Sequence, residues 1–368
     1  MLKCYSNAEV HSIVDHLNDT QREELGIESI ATSFVQKLPF SKTKFRNYLA
    51  LMPMAIEQFD LSDYDLILSS SHAVAKGVIT SHEQLHISYM HTPIRYAWEL
   101  QHEYLKQRGL ERGLKATIVK AILHNIRRWD QSTANRPDVY IANSKFIAGR
   151  IRKTYDRPAK VIYPPVNVES MSLRCQKDNF YLAAGRLVPY KRFDLVVEAF
   201  SKIPSAKLVV IGDGPEMKKL KSIAGPNVQL MGYQSDEVLR DHMQRAKGFV
   251  FAALEDFGIM PVEAQACGTP VIAFGRGGTA ETVILGTTGL HFEEQTLDCL
   301  TEKILDMEEL PSEYFDPYEL RRHAEKFSQD RFRKEYSTFV DKCWQSFKSG
   351  KQGVRSEQLD RVGLAVHS

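Results

Sequence analysis

Cysteine is scarce in this chain and never clustered: Cys4, Cys175, Cys267, Cys299 and Cys343 are its five, and no two form a CxxC pair. An odd count without metal-ligand spacing excludes a disulfide framework and a zinc knuckle. It fits a reducing, cytoplasmic setting. Excess charge of one sign is missing too. The formal net charge over 368 residues is +2, so an anionic partner must meet a local patch rather than a global polycation. No run of eighteen apolar residues and no signal-peptide pattern occurs, which excludes a spanning helix. No G-x-G-x-x-G follows a first strand and no G-x4-G-K-[ST] is present, which disfavours a dehydrogenase and a P-loop enzyme. No nucleic-acid motif is present either, so no nucleic-acid partner is expected.

What the chain does have is alternation. From Asn179 the segments "NFYLAAG", "KLVVIGDG", "VQLMGY", "GFVFAAL" and "TPVIAFG" are short apolar runs. Amphipathic segments such as "KRFDLVVEAFSKI" and "SDEVLRDHMQRA" separate them. Strands alternating with helices imply right-handed crossovers and a parallel sheet covered on both faces. The first half repeats the pattern more roughly: "EVHSIVDHL", "ESIATSF", "YDLILSSS", "LHISYMHTP" and "DVYIANS" are its strand candidates. Two adjacent prolines and a change of composition place a linker near residues 164–178. The expectation is α/β, with two doubly wound domains: 1–172, and 173–327. A closing helix follows over 328–347, with Phe332, Tyr336, Phe339 and Trp344 at helical spacing, and then a polar tail over 348–368.

The densest chemistry lies in "EDFGIMPVE", which sets Glu255 and Glu263 eight positions apart around a Gly-x-x-Pro turn. Ligands of doubly wound sheets sit at the carboxyl ends of strands, and Glu255 directly follows one. Gly258 permits an unusual turn, and Pro261 suits a first helical position. The free N–H groups around Gly258 to Val262, those of Gly258, Ile259 and Met260 among them, then form an anion site at a helix start. Glu263, read as lying in the first helical turn, matches the dipole and can accept two hydrogen bonds from a sugar diol. "AAGRLVPYKRFD" places Arg186 past another strand and Lys191 at the next helix start, where a cation opposes the dipole unless an anion lies between the two. Gly212, in "IGDGPE", marks a further strand-end turn. Taken singly, each of these carboxylates and cations also fits an ordinary solvated surface.

The series GR–LVPYK, GDGP, MGY, EDFGIMPVE and ACGTPVIA–GRGG–ETV resembles the carboxyl-terminal half of the family-4 retaining glycosyltransferases, with their E-x7-E motif. "HTPIRYAWEL", from His91, and "ANSKFIAGRIRKTY" are similar to the family's amino-terminal half. The subgroup most resembled is that of bacterial mannosyltransferases of polysaccharide and O-antigen (lipopolysaccharide) assembly. The resemblance implies the GT-B fold, in which two Rossmann-like domains face across a cleft, and a nucleotide-sugar co-substrate with neither cofactor nor catalytic metal. It implies that Arg186 and Lys191 hold the diphosphate and stabilise the leaving group, and that Glu263 binds the ribose. Glu255 would adjoin the donor sugar, with the Gly258–Pro261 stretch contacting sugar and phosphate. The base would lie near Tyr233, between Met231 and Gln234. His91 would border the sugar, and Ser144 would touch phosphate or serve as an N-cap. The reaction implied is front-face hexosyl transfer with retention, of mannose from GDP-mannose, to a glycan or lipid-linked acceptor. A UDP-sugar donor, a sugar-nucleotide epimerase or hydrolase, and a non-catalytic nucleotide-sugar binding protein are the alternatives.

One departure stands out. The family opens with a strand, a glycine-rich loop and a helix, whereas no glycine precedes Gly26 here. The expectation is a missing central strand, two unpaired strand edges, and an unstable, poorly active amino-terminal domain. Between Gln101 and Trp129 stand Lys106, Arg108, Arg112, Lys115, Lys120, Arg127 and Arg128, against Glu103 and Glu111. Leu114, Ile118, Ala121, Ile122 and Ile126 recur among them at helical spacing. This predicts either an interfacial helix on the inner face of the plasma membrane or a solvated helix packed on its own domain.

Overall fold

A computed structural model describes residues 1–5 and 7–350; the tail expected over 348–368 lies outside the described residues from 351 onward. The chain forms two compact units. One comprises Met1–Ile162 together with the chain from Arg333; the other is Tyr163–Phe332. The expected linker at 164–178 is not one: Val166 and Val168 are buried in the core of the second unit, and Val166 N–H donates to Phe327 O at 2.9 Å. The boundary falls instead at Ile162/Tyr163, just past a short strand the sequence reading missed.

The first unit holds β1 (Val10–Ser12), β2 (Ile30–Thr32), β3 (Leu66–Ser71), β4 (Leu85–Met90), β5 (Val139–Ala142) and β6 (Lys160–Val161). β3-β4-β5-β6 form one parallel sheet, while β1 and β2 pair in parallel as a separate two-stranded sheet. β1 is much shorter than "EVHSIVDHL" suggested, because the backbone past Ser12 finds side-chain partners instead of a ladder. Asp15 N–H donates to Gln36 Oε1 at 2.8 Å, and Leu17 N–H to Asp15 Oδ1 at 3.0 Å. β4 and β5 are buried at every position; β5 accordingly reads as an unbroken apolar run, whereas β4 alternates Leu85, Ile87 and Tyr89 with buried His86 and Ser88, and His86 Nε2 shares a hydrogen bond of 2.8 Å with Ser69 Oγ. The closing helix spans Gln329–Lys348. Its residues from Arg333 belong to the first unit, where Tyr336 meets Tyr89 edge-on at 6.2 Å. Cys343, not Trp344, takes the last buried place; Trp344 is half-exposed and stacks on Phe347.

The second unit holds β7 (Asp178–Ala184), β8 (Leu208–Ile211), β9 (Val228–Gly232), β10 (Ala246–Phe251), β11 (Val271–Phe274) and β12 (Gly289–Phe292), the last unforeseen. Their order is β12-β11-β10-β7-β8-β9, all parallel. Successive residues feed opposite faces, as the two-residue period of a strand requires. Leu182, Ala184, Val209 and Ile211 join one apolar cluster, and Tyr181, Ala183, Leu208 and Val210 the other. The chain runs β7-β8-β9 in one direction and then returns to the other side of β7 for β10-β11-β12. That reversal opens a crevice between the loops leaving β7 and β10, the place where such sheets hold ligands.

Candidate functional site

Those two loops are the ones that carry the predicted residues. β7 leads into Gly185, Arg186 and a 3-10 turn, Pro189–Lys191; β10 leads into Glu255 and the helix Ile259–Ala266. Lys191 Nζ lies 3.5 Å from Glu255 Oε1, each side chain 17% exposed. A Cβ on Gly185 would lie 3.4 Å from Lys191 Nζ and 3.8 Å from Met260 Sδ, so both side chains close over that turn. Arg186 is exposed, and its guanidinium has no hydrogen bond or ion pair among the described residues. A free cation, a paired cation and a helix start therefore share one crevice.

The backbone there depends on glycine. Gly258, at φ 87°, caps the helix with no side-chain hydrogen bond to its first amides. Because the helix starts directly after Gly258, Pro261 is its third residue and Glu263 its fifth. This corrects the first-position and first-turn reading of the sequence. Proline is tolerated there because the first-turn N–H groups need no helical partner. Gly278 N–H donates to Glu255 O at 2.8 Å, and a Cβ on Gly278 would fall 2.2 Å from Phe257 Cα. The "GRGG" loop thus lies flat on the Glu255–Phe257 backbone and fixes its path. Gly212 touches the same floor: its Cβ would sit 1.8 Å from Gly185 O.

Glu263 is half-buried, and burial raises its pKa, with Asp236 adding to the rise and Arg240 opposing it. Both neighbours lie on the helix Asp236–Arg245, which Ser235 caps through Val238 N–H at 3.3 Å. Tyr233, just past β9, is 79% exposed. Sequence reasoning missed the brace below the site. Tyr163 donates to Glu281 Oε2 at 3.0 Å, and its ring lies 5.8 Å from that of Phe257. No local pattern could pair residues 118 positions apart.

His91 and Ser144 belong to the first unit. His91 follows β4, and its Nε2 shares a hydrogen bond of 2.9 Å with Ser70 Oγ at the end of β3. Its ring meets Tyr89 edge-on at 5.3 Å. Burial lowers its pKa, and His72 lowers it further. Ser70 and His72 were not singled out in the sequence, although the run "SSSH" at a strand end was a usable signal. Ser144 accepts from Ile147 N–H at 3.1 Å as the N-cap of the helix Lys145–Tyr155.

On the helix Leu114–Ser132 the buried line is Ala116, Leu123, Ile126 and Asp130. Ile126 is therefore core, while Leu114 and Ile118 are 79% and 53% exposed. Among the described residues no helix is long and apolar enough to cross a membrane.

Two units built on parallel sheets, with a charged, glycine-floored crevice at the switch point of one, fit the GT-B fold. The Glycosyltransferase Family 4 model matches residues 6–170 and the Glycosyl transferases group 1 model residues 170–331, so the chain belongs to these glycosyltransferases. Among curated relatives, the uncharacterized glycosyltransferase MJ1178 of Methanocaldococcus jannaschii is 32% identical over 200 residues, 53% of this chain and 56% of the relative. A GDP-mannose-dependent monoacylated alpha-(1-6)-phosphatidylinositol monomannoside mannosyltransferase of Corynebacterium glutamicum is 32% identical over 138 residues, 33% of this chain and 36% of its own length. The chain thus spans about half, or less, of the curated relatives it matches. Among solved structures, Anabaena Alr3699/HepE, in complex with UDP and glucose, aligns at a TM-score of 0.63 and 19% identity, over 92% of this chain and 93% of its own. Sucrose-phosphate synthase of Thermosynechococcus elongatus aligns at 0.67 and 17% identity, over 86% and 84%.

Proposed function

We propose that the chain is a retaining hexosyltransferase that moves mannose from GDP-mannose to a glycan or lipid-linked acceptor of polysaccharide assembly, such as an O-antigen, at the inner face of a plasma membrane. The observation that carries this reading is the crevice where the β7 and β10 loops meet. Arg186, Lys191 and the uncapped start of the Ile259–Ala266 helix offer three sources of positive potential for one diphosphate. Glu255 partly neutralises Lys191 across 3.5 Å, and a donor phosphate would exchange with it for the ammonium. The released Glu255 would then face the hexose, with Gly258, Ile259, Met260 and Pro261 along sugar and phosphate. Glu263 accepts from the two ribose hydroxyls. Exposed Tyr233 and the Gly212 turn border the base.

The chemistry needs stabilisation of a leaving diphosphate, which fixed cations and backbone amides supply without a metal. His91, held neutral by burial, can accept a hydrogen bond from a sugar hydroxyl while Ser70 fixes its ring. The mannosyl assignment draws on the GDP-mannose-dependent relatives. The test is donor turnover without acceptor: release of GDP from GDP-mannose and the anomeric form of the freed sugar, read by NMR. Retained configuration and a rate unchanged by EDTA support the reading. An inverted product, a metal-dependent rate or turnover of UDP-sugars alone overturns it in that respect.

A further inference from the structure

The exposed side of the Leu114–Ser132 helix changes character along its length. Opposite the buried line runs another: Leu114, Ile118, Ala121, Asn125 and Arg128, at steps of three and four residues that keep it on one face. Its amino-terminal half shows two large aliphatic side chains to solvent, Leu114 and Ile118. At the carboxyl-terminal end the same line enters an open groove of about 700 Å³, lined by Trp98, His124, Asn125, Arg128 and Trp129. The indole N–H groups of Trp98 and Trp129 are taken, donating to Asp130 Oδ2 at 2.7 Å and Glu57 Oε1 at 2.8 Å. Their rings are thereby fixed as walls. Arg128 is exposed, and its guanidinium has no hydrogen bond or ion pair among the described residues. Seven cations and two carboxylates between residues 101 and 129 give this region a strong positive bias.

We propose that this face docks on an anionic phospholipid bilayer, with Leu114 and Ile118 entering the acyl boundary and a lipid phosphate headgroup seated in the groove against Arg128 and His124. A 19-residue helix is about 28 Å long, long enough to hold both contacts while lying in the plane of the interface. Arg112, Lys115 and Lys120 flank the apolar half and meet the surface charge. The inference extends the proposed membrane-borne acceptor, yet its test needs no turnover.

The full chain is floated with vesicles of phosphatidylcholine alone and with phosphatidylglycerol added, without donor. Binding is expected to be at least about tenfold tighter to the anionic vesicles and to weaken with salt. Leu114→Ser with Ile118→Ser should abolish it. Arg128→Glu should weaken it about tenfold or more, beyond the effect of Arg112→Glu at an exposed site outside the groove. Equal binding to neutral vesicles, or retention by the double serine variant, overturns the docking surface. Equal effects of Arg128→Glu and Arg112→Glu overturn the headgroup seat. Nucleotide binding by the same variants reports separately on fold and donor site, so failure of the transferase reading leaves the flotation result standing.

Discussion

Lys191 and Glu263 answer to different forces. Lys191 faces Glu255 across 3.5 Å and would serve the transition state. Its replacement by alanine should lower kcat/KM by about 10²–10³, the usual loss of one preorganised donor to a developing anion. A loss confined to KM would show it to be a ground-state contact only. Glu263 carries a pKa raised by burial, with Asp236 adding to the rise. A carboxyl whose folded pKa exceeds its unfolded one contributes stability at low pH, and loses it as pH rises from the ordinary glutamate range through the raised value. Glu263→Gln should therefore raise Tm at pH 7 more than at pH 4, while weakening nucleotide binding. A thermal shift series at the two pH values, in which the variant gains nothing at pH 7, would contradict this. Both residues stood out in the sequence because their motifs follow apolar strands, and the structure carries Lys191 on the turn after β7 and Glu263 on the helix after β10. Tyr163 and Glu281 were not, since their contact is made by tertiary folding alone.

The elements differ in how firmly they are held. β7 and β10 are central, pair on both sides, and bury Tyr181–Ala184 and Gly248–Phe251. β1 and β2 pair only with each other and contain no buried residue. Protection against exchange follows burial and the free energy of local opening. The β1–β2 amides should thus exchange at least about 10²-fold faster than those of β7 and β10 in native hydrogen exchange. Equal protection would mean that the small sheet is held by contacts its burial does not reveal. The strong strands were read at the right places, with ends up to about three residues off, because a doubly covered strand writes itself as an apolar run. β6 and β12 were missed for the opposite reason. β6 has two residues, and β12 has half-buried Leu290 and His291 at its centre, too weak a pattern for either to stand out. The Ile259–Ala266 helix was placed two residues late, since proline marked its first turn rather than its first position.

At the scale of the whole molecule, the account rests on one topological fact. The chain reverses direction across the sheet between β9 and β10, and the reversal puts the two charged loops side by side. Sequence order alone suggested two such sheets; only the strand order shows which loops adjoin. The central claim is that this crevice of the second unit binds the donor diphosphate. Calorimetric titration with GDP-mannose, GDP, UDP-glucose and UDP tests it most directly, on the native chain and on Lys191→Ala and Glu263→Ala. The account predicts binding of the guanine pair, weakened at least about tenfold by either substitution, or roughly 1.4 kcal/mol. Binding of the uracil pair alone would keep the crevice and change the donor. Absence of any nucleotide binding by the folded chain, or binding indifferent to both substitutions, would contradict the claim.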